Sequence, residues 1–264
     1  MTIERVKVIG LGGIGCALLD YLPRYLSYSK PDESLPHSVA GKVRLVLVDG
    51  KQYEMRKAER QSFSQMGNKA NIKCGEIARA FENLSVRAID EFVTPENITS
   101  IIQEGDVVFL GVDNHKTRKL VSDYCQSLQN VVVFSGGNEL TDGNVQIYVR
   151  ENGVDIRLPL TEFHKEINNP ADKSPHEMSC QELAEAGSPQ LLFVNAKAAI
   201  EMLCAFYNWQ HGKLCYDENY FDITLGKTNP KDRSGVKKGG LNYVHEESAG
   251  QSKLTGRANG ACQS

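Results

Sequence analysis

At 264 residues the chain can hold one large α/β domain, or one domain with a tail, and either buries a sizeable core. A net charge of −3, with lysine and arginine dispersed apart from the doublet Lys237-Lys238, argues against a nucleic-acid binder. No apolar run reaches the ~18 residues of a membrane span and the N-terminus has no signal-peptide pattern, so a cytoplasmic, membrane-free protein is expected.

Val6 to Ile9 reads as a short strand, and Cys16 to Leu26 carries helical spacing through Leu18, Leu19 and Leu22. The opening is therefore strand, glycine turn, helix. A polar loop bearing Pro31 and Pro36 delays the second strand, Val43 to Val48, which ends at Asp49. Tyr53 to Gly67 is polar and aperiodic, a long loop of the kind that a compact domain keeps for function. A helix is expected over Lys69 to Phe81, a strand over Val86 to Ile89, and a helix opening at Thr94-Pro95-Glu96 with proline in its first turn.

Val107 to Val112 is continuously apolar, as a parallel strand covered on both faces must be, and Asp113 follows at its carboxyl end. A helix over Lys116 to Leu128, a strand over Val131 to Phe134, a glycine-bracketed turn and a strand over Val145 to Val149 come next. Asn168 to Gly187 reads as an extended crossing loop, and Gln190 to Trp209 as a long apolar helix. After Gly226 the composition turns to Gly, Ser, Lys and Asn. The expectation is a Rossmann-like α/β domain over residues 1–227, its sheet mostly parallel with helices on both faces, and a flexible tail over 228–264.

Gly10-Leu-Gly12-Gly13-Ile-Gly15 suits a nucleotide phosphate, because glycine permits close backbone approach and a helix N-terminus directs N–H groups outward. Alone it fits NAD, FAD, ATP or S-adenosylmethionine. Asp49 stands where a carboxylate can accept from ribose hydroxyls. Arg60, beside Gln61, and Lys69 favour ATP: adenylation must neutralise charge moving onto pyrophosphate, whereas hydride transfer needs no such pair of cations. Asp113 can bind Mg²⁺, which takes one or two acids plus phosphate oxygens. Asp113 or Asn114 can also cap the following helix, and the two roles can coexist.

Seven cysteines, at 16, 74, 125, 180, 204, 215 and 262, include no C-x-x-C pair, so reduced thiols are expected. Cys16, Cys125 and Cys204 read as small core hydrophobes. Cys180, in a polar loop, is either a nucleophile or a cysteine that shapes the loop and positions substrate. Gly226-Lys227-Thr228 imitates the end of a Walker A loop, but Phe221 occupies the required glycine position.

Together, Gly10 to Gly15, Asp49, Arg60-Gln61, Lys69, Asp113-Asn114 with Arg118, Ser179-Cys180 and Glu185-Ala186-Gly187 resemble the ThiF/MoeB/HesA family of adenylyltransferases, relatives of ubiquitin-activating enzymes. The resemblance covers about residues 5–210. It implies MgATP-dependent adenylation of the C-terminal Gly-Gly carboxylate of a small ubiquitin-like or sulfur-carrier protein. Asp49 would hold ribose, Arg60 and Lys69 the phosphates, Asp113 the metal, and Cys180 would take up the activated acyl group or persulfide.

The chain departs from the family pattern in four places. Lys57 stands where the family has asparagine, Gly67 lies one residue nearer Lys69 than usual, and no C-x-x-C pairs exist to build the zinc site that many relatives carry. No structural zinc is therefore expected. The chain also starts almost at its first strand, without the helix whose arginine completes a partner's site, so a homodimer remains open. Two rivals stand beside the enzyme: a degenerate, partner-binding subunit and an NAD-dependent oxidoreductase.

Overall fold

Parallel pairing of alternating-face strands builds the frame that carries the site. The computed structural model describes residues 2–178 and 190–233, within a unit spanning Met1–Arg233. Its strands are β1 (Thr2–Ile9), β2 (Ser38–Val48), β3 (Ser85–Ile89), β4 (Val107–Leu110), β5 (Val131–Asn138), β6 (Asp142–Glu151), β7 (Val154–Arg157), β8 (Glu218–Asp222) and β9 (Lys227–Lys231). They form one sheet in the order β3-β2-β1-β4-β5-β6-β8-β9, with β7 on β6. β3, β2, β1, β4 and β5 run parallel, and β6 onward is antiparallel. The strand order reverses between β1 and β4, where open α/β sheets leave a crevice for ligand.

Both faces are covered, which explains the apolar runs. Leu45, Leu47, Val107, Phe109, Val132 and Phe134 point into one core, shared with α1 (Gly13–Leu19), α2 (Leu22–Tyr28), α3 (Lys69–Ala80) and α7 (Leu192–Gln210). Their neighbours Val46, Val48, Val108, Leu110, Val131 and Val133 point into the other, shared with α4 (Ile98–Ile101), α5 (His115–Cys125) and α6 (Lys165–Asn168). Phe206 of α7 packs edge-on against Phe109 and Phe134, with centroids 5.4 and 5.9 Å apart, a geometry the ring quadrupoles favour.

The structure corrects several boundaries. The helix expected over Cys16 to Leu26 is two helices, because Pro23 has no N–H for Leu19 and its ring would collide with that carbonyl. The second strand begins at Ser38, with Val39 paired to Ile3 before an irregularity in register. The helix expected from Thr94 shrinks to one turn, Ile98–Ile101. The chain also continues past Lys227 as β9, so ordered structure extends beyond the expected start of the tail.

Candidate active site

The crevice at the end of β1 is shaped by backbone. Gly10 has φ +88°, and a Cβ there would lie 2.9 Å from the Gly111 carbonyl carbon. A Cβ on Gly15 would lie 2.1 Å from the Gly10 oxygen, so helix α1 can start this close to β1 only with glycine there. Gly12 differs: its nearest neighbour would be 4.0 Å away, which leaves the first turn of α1 open to the crevice.

Asp49, 8 % exposed, holds that loop in place. Its Oδ2 accepts from Leu11 N at 2.6 Å and its Oδ1 from Lys51 N at 2.7 Å. Each carboxylate oxygen keeps a free lone pair, so fastening the loop and accepting from a ribose are compatible.

The segment after Asp49 turns back as a closed loop, with Gln52 bridged to Asn68. Asn68 donates to the Asp49 carbonyl at 2.8 Å and accepts from Asn71 N at 3.1 Å, capping α3. Lys69, first in that helix, is therefore fixed beside Asp49, and its N donates to the Lys51 carbonyl at 3.1 Å. Its side chain is 2 % exposed and hydrogen-bonds to no described residue. Burial pushes the Lys69 ammonium below its ordinary value; Asp49 opposes this, and Lys57 and Lys51 add to it.

Arg60 reaches the same cavity, held by Glu59 at 2.7 Å, with Nε buried and unpaired among the described residues. Gln61 beside it presents an unpaired, buried Oε1.

Asp113 lies past the end of β4 and lines the same cavity, with its side chain 56 % exposed and Oδ2 3.6 Å from Lys51 Nζ. Burial of its surroundings would raise the carboxyl, but Lys51 and Lys69 hold it below the usual range. Asn114 caps α5 by accepting from Thr117 N at 2.8 Å, so capping falls to Asn114 and leaves the Asp113 carboxylate available. Arg118 is buried and donates to Val112 O and Gly136 O, each at 2.7 Å, and to Ser135 Oγ at 2.6 Å. It pins the backbone just before Asp113 to β5. Burial pushes its guanidinium down to about 10, still charged at neutral pH.

These residues bound one cavity of about 540 Å³. Six of the ten buried side-chain polar atoms that lack a partner among the described residues belong to its lining: Arg60, Gln61, Asn114, His115, Gln146 and Asn195. Orphaned polar groups are rare in native interiors, and their concentration here marks a ligand site. The sequence model of the ThiF family matches residues 2–182, a span that contains this cavity's glycine loop, cations and Asp113.

The chain belongs to the ThiF family.

Among curated proteins, this ThiF-family chain is similar to the adenylyltransferase and sulfurtransferase UBA4 of Eremothecium gossypii, 28% identical over 152 residues, 56% of this chain and 31% of that protein. It is also similar to the adenylyltransferase and sulfurtransferase MOCS3 of Drosophila sechellia, 30% identical over 159 residues, 57% of this chain and 30% of that protein. It thus spans under a third of those relatives. Among solved structures it shares its fold with E. coli MccB in complex with MccA-N7isoASN, at TM-score 0.64 and 16% identity over 89% of this chain and 66% of that one. E. coli MccB with ATP aligns at TM-score 0.61 and 16% identity over 87% and 63% of the two chains.

The ThiF-family residues expected from sequence mostly converge. Gly10, Gly12, Gly13, Asp49, Arg60, Gln61, Lys69, Asp113 and Asn114 all line the cavity, and Gly15 supports it from below. Ser179, Cys180 and Glu185-Ala186-Gly187 lie outside the described residues. Cys16 and Cys125 are core residues, and burial pushes the Cys16 thiol up to about 12. Cys204 is exposed on α7, contrary to its expected place in the core: it sits on the turn of the helix facing away from Met202 and Ala205.

Sequence reading missed Lys51, Asn195 and the fastening role of Arg118. Lys57, noted only as a departure, is buried in the cavity lining with Nζ 2.6 Å from Glu54. Beyond Asp113 the cavity runs over the antiparallel strands to Asn144, Gln146 and Tyr220. That wall is braced by His164, whose Nε2 lies 2.8 Å and Nδ1 2.7 Å from Glu218 and Glu166.

Proposed function

We propose that the protein uses ATP to adenylylate the C-terminal carboxylate of a small ubiquitin-like or sulfur-carrier protein, in the cytoplasm. The observation that carries this reading is one cavity lined by Lys51, Lys57, Arg60 and Lys69 together with the Asp113 carboxylate. Four cations suit a triphosphate and exceed what a nicotinamide cofactor needs. The names of the UBA4 and MOCS3 relatives, and MccB structures with ATP and with MccA, support the same reading.

In this mechanism Asp49 accepts from the ribose and the open first turn of α1 receives phosphate. A carboxylate oxygen of the carrier attacks the α-phosphorus, the bond to the bridging oxygen breaks, and pyrophosphate leaves. Arg60 and Lys69 neutralise the charge that gathers on that leaving group. One exposed carboxylate beside a phosphate-binding wall fits Mg²⁺, and Asp113 would hold it; the ion would supply further neutralisation of pyrophosphate.

The tail of the carrier, ending in Gly-Gly, would lie along the Asn144–Tyr220 side of the cavity. Cys180 would then attack the acyl carbon as thiolate, expelling AMP and leaving a thioester, in a chain that works alone or as a homodimer.

The test is carrier-dependent exchange of pyrophosphate into ATP. Wild type should exchange, and Asp113→Ala should lose it. Arg60→Lys should stay impaired because the planar fork is gone. ATP binding without exchange on any carrier would instead favour a partner-binding subunit, and NAD binding in place of ATP an oxidoreductase.

A further inference from the structure

Lys51 lines the site, and the proposed mechanism gives it no task beyond its charge. Its N donates to Asp49 Oδ1 at 2.7 Å and its carbonyl accepts from Lys69 N at 3.1 Å, so its backbone is clamped between the ribose acid and the phosphate lysine. Its side chain, 20 % exposed, reaches Asp113 Oδ2 at 3.6 Å, and both residues line the cavity. That separation is ionic but longer than the ~2.7–3.2 Å of a direct N–H···O hydrogen bond. The ammonium therefore neutralises Asp113 without being locked to it.

We propose that Lys51 is the resident counter-cation of Asp113, exchanged for the metal when metal–nucleotide enters, and that the released ammonium moves onto a phosphate oxygen. The inference rests on the nucleotide reading of the cavity and adds a residue to it. A metal held by Asp113 would stand close to the Lys51 ammonium, and the repulsion between the two cations favours release of that ammonium toward the phosphates. The fixed backbone and four-carbon stem keep the displaced ammonium inside the cavity that Lys57, Arg60 and Lys69 also line. Before the metal arrives, the same pair keeps Asp113 from repelling the phosphates.

The test is the metal coupling of ATP binding, the ratio of Kd in EDTA to Kd in saturating Mg²⁺, measured by calorimetry on the full chain. Lys51→Met removes the competitor and the counter-charge, so the ratio should rise about tenfold or more, within the usual span of coupling between sites. Lys51→Gln should do the same, which guards against a folding failure of one variant. In an Asp113→Asn background neither substitution should change the ratio.

A ratio within about twofold of wild type for both variants, with ATP still bound, overturns this proposal alone; so does an equal rise in the Asp113→Asn background. Failure of the wild type to bind ATP in either condition overturns the nucleotide reading and this proposal with it.

Discussion

Asp49 and Leu11 are joined by a 2.6 Å hydrogen bond across 38 residues of sequence, from the Leu11 amide to the Asp49 carboxylate. The bond ties the glycine loop at the end of β1 to the end of β2, with Lys51 N on the other oxygen. The acid that the sequence assigns to ribose is first a clamp on the glycine loop.

Asp49→Asn keeps one acceptor and loses the other, leaving a buried N–H unsatisfied. Urea unfolding should show a loss of about 1–3 kcal/mol, the cost of such a group. ATP titration should show weaker binding beyond that of a mere ribose contact, because the loop itself loosens. Unchanged unfolding would mean that the clamp carries no stability.

Lys69 gives the opposite pair of signs. A lysine 2 % exposed with no hydrogen bond to a described residue is a cost to folding, so Lys69→Met should leave the midpoint of unfolding unchanged or raise it. Pyrophosphate exchange should fall in the same variant, the usual trade between a strained site and stability. A destabilised Lys69→Met would show that the ammonium is held by groups that compensate its burial.

Much of this was legible because chemistry and fold share one signal. Val107 to Leu110 is apolar at every position because cores lie on both faces, and Asp113 follows where that run stops. Pro23 is likewise a break written in the sequence, which helical spacing by itself does not show. Lys51 and Lys57 were not legible, because their place depends on how the chain between Gln52 and Asn68 folds back, which no periodicity encodes. β9 was hidden for another reason: all five of its residues are exposed and it is held to β8 by backbone pairing, so no apolar pattern marks it.

The brace behind the antiparallel wall predicts a pH window. Burial opposes it, but Glu218 and Glu166 raise the His164 imidazole above 6.5; His164 and Arg233 bring the Glu218 carboxyl from 4.5 to about 2. The histidine's contribution is full below 6.5 and lost as pH rises through its raised value. The glutamate's is full above 4.5 and lost as pH falls through about 2. His164→Gln should therefore cost more stability at pH ~5.5 than at pH ~9 in denaturant titrations. An equal cost at both values would mean that the imidazole is neutral in the folded chain.

Activation and transfer should separate at Cys180. Adenylation uses the phosphate-binding set and no thiol, so Cys180→Ala should keep pyrophosphate exchange and lose any carrier adduct that reductant releases on a gel. A variant that remains folded, binds ATP and yet loses exchange would place the cysteine in positioning the carrier's tail.

The central claim is that this cavity makes an acyl-adenylate, and intact-mass spectrometry of the carrier tests it most directly. After incubation with ATP, Mg²⁺ and Cys180→Ala protein, acid-quenched carrier should gain the mass of one AMP moiety, and with Asp113→Ala it should not. Carrier that stays unmodified while ATP is bound, or that gains AMP equally with Asp113→Ala, would contradict the account.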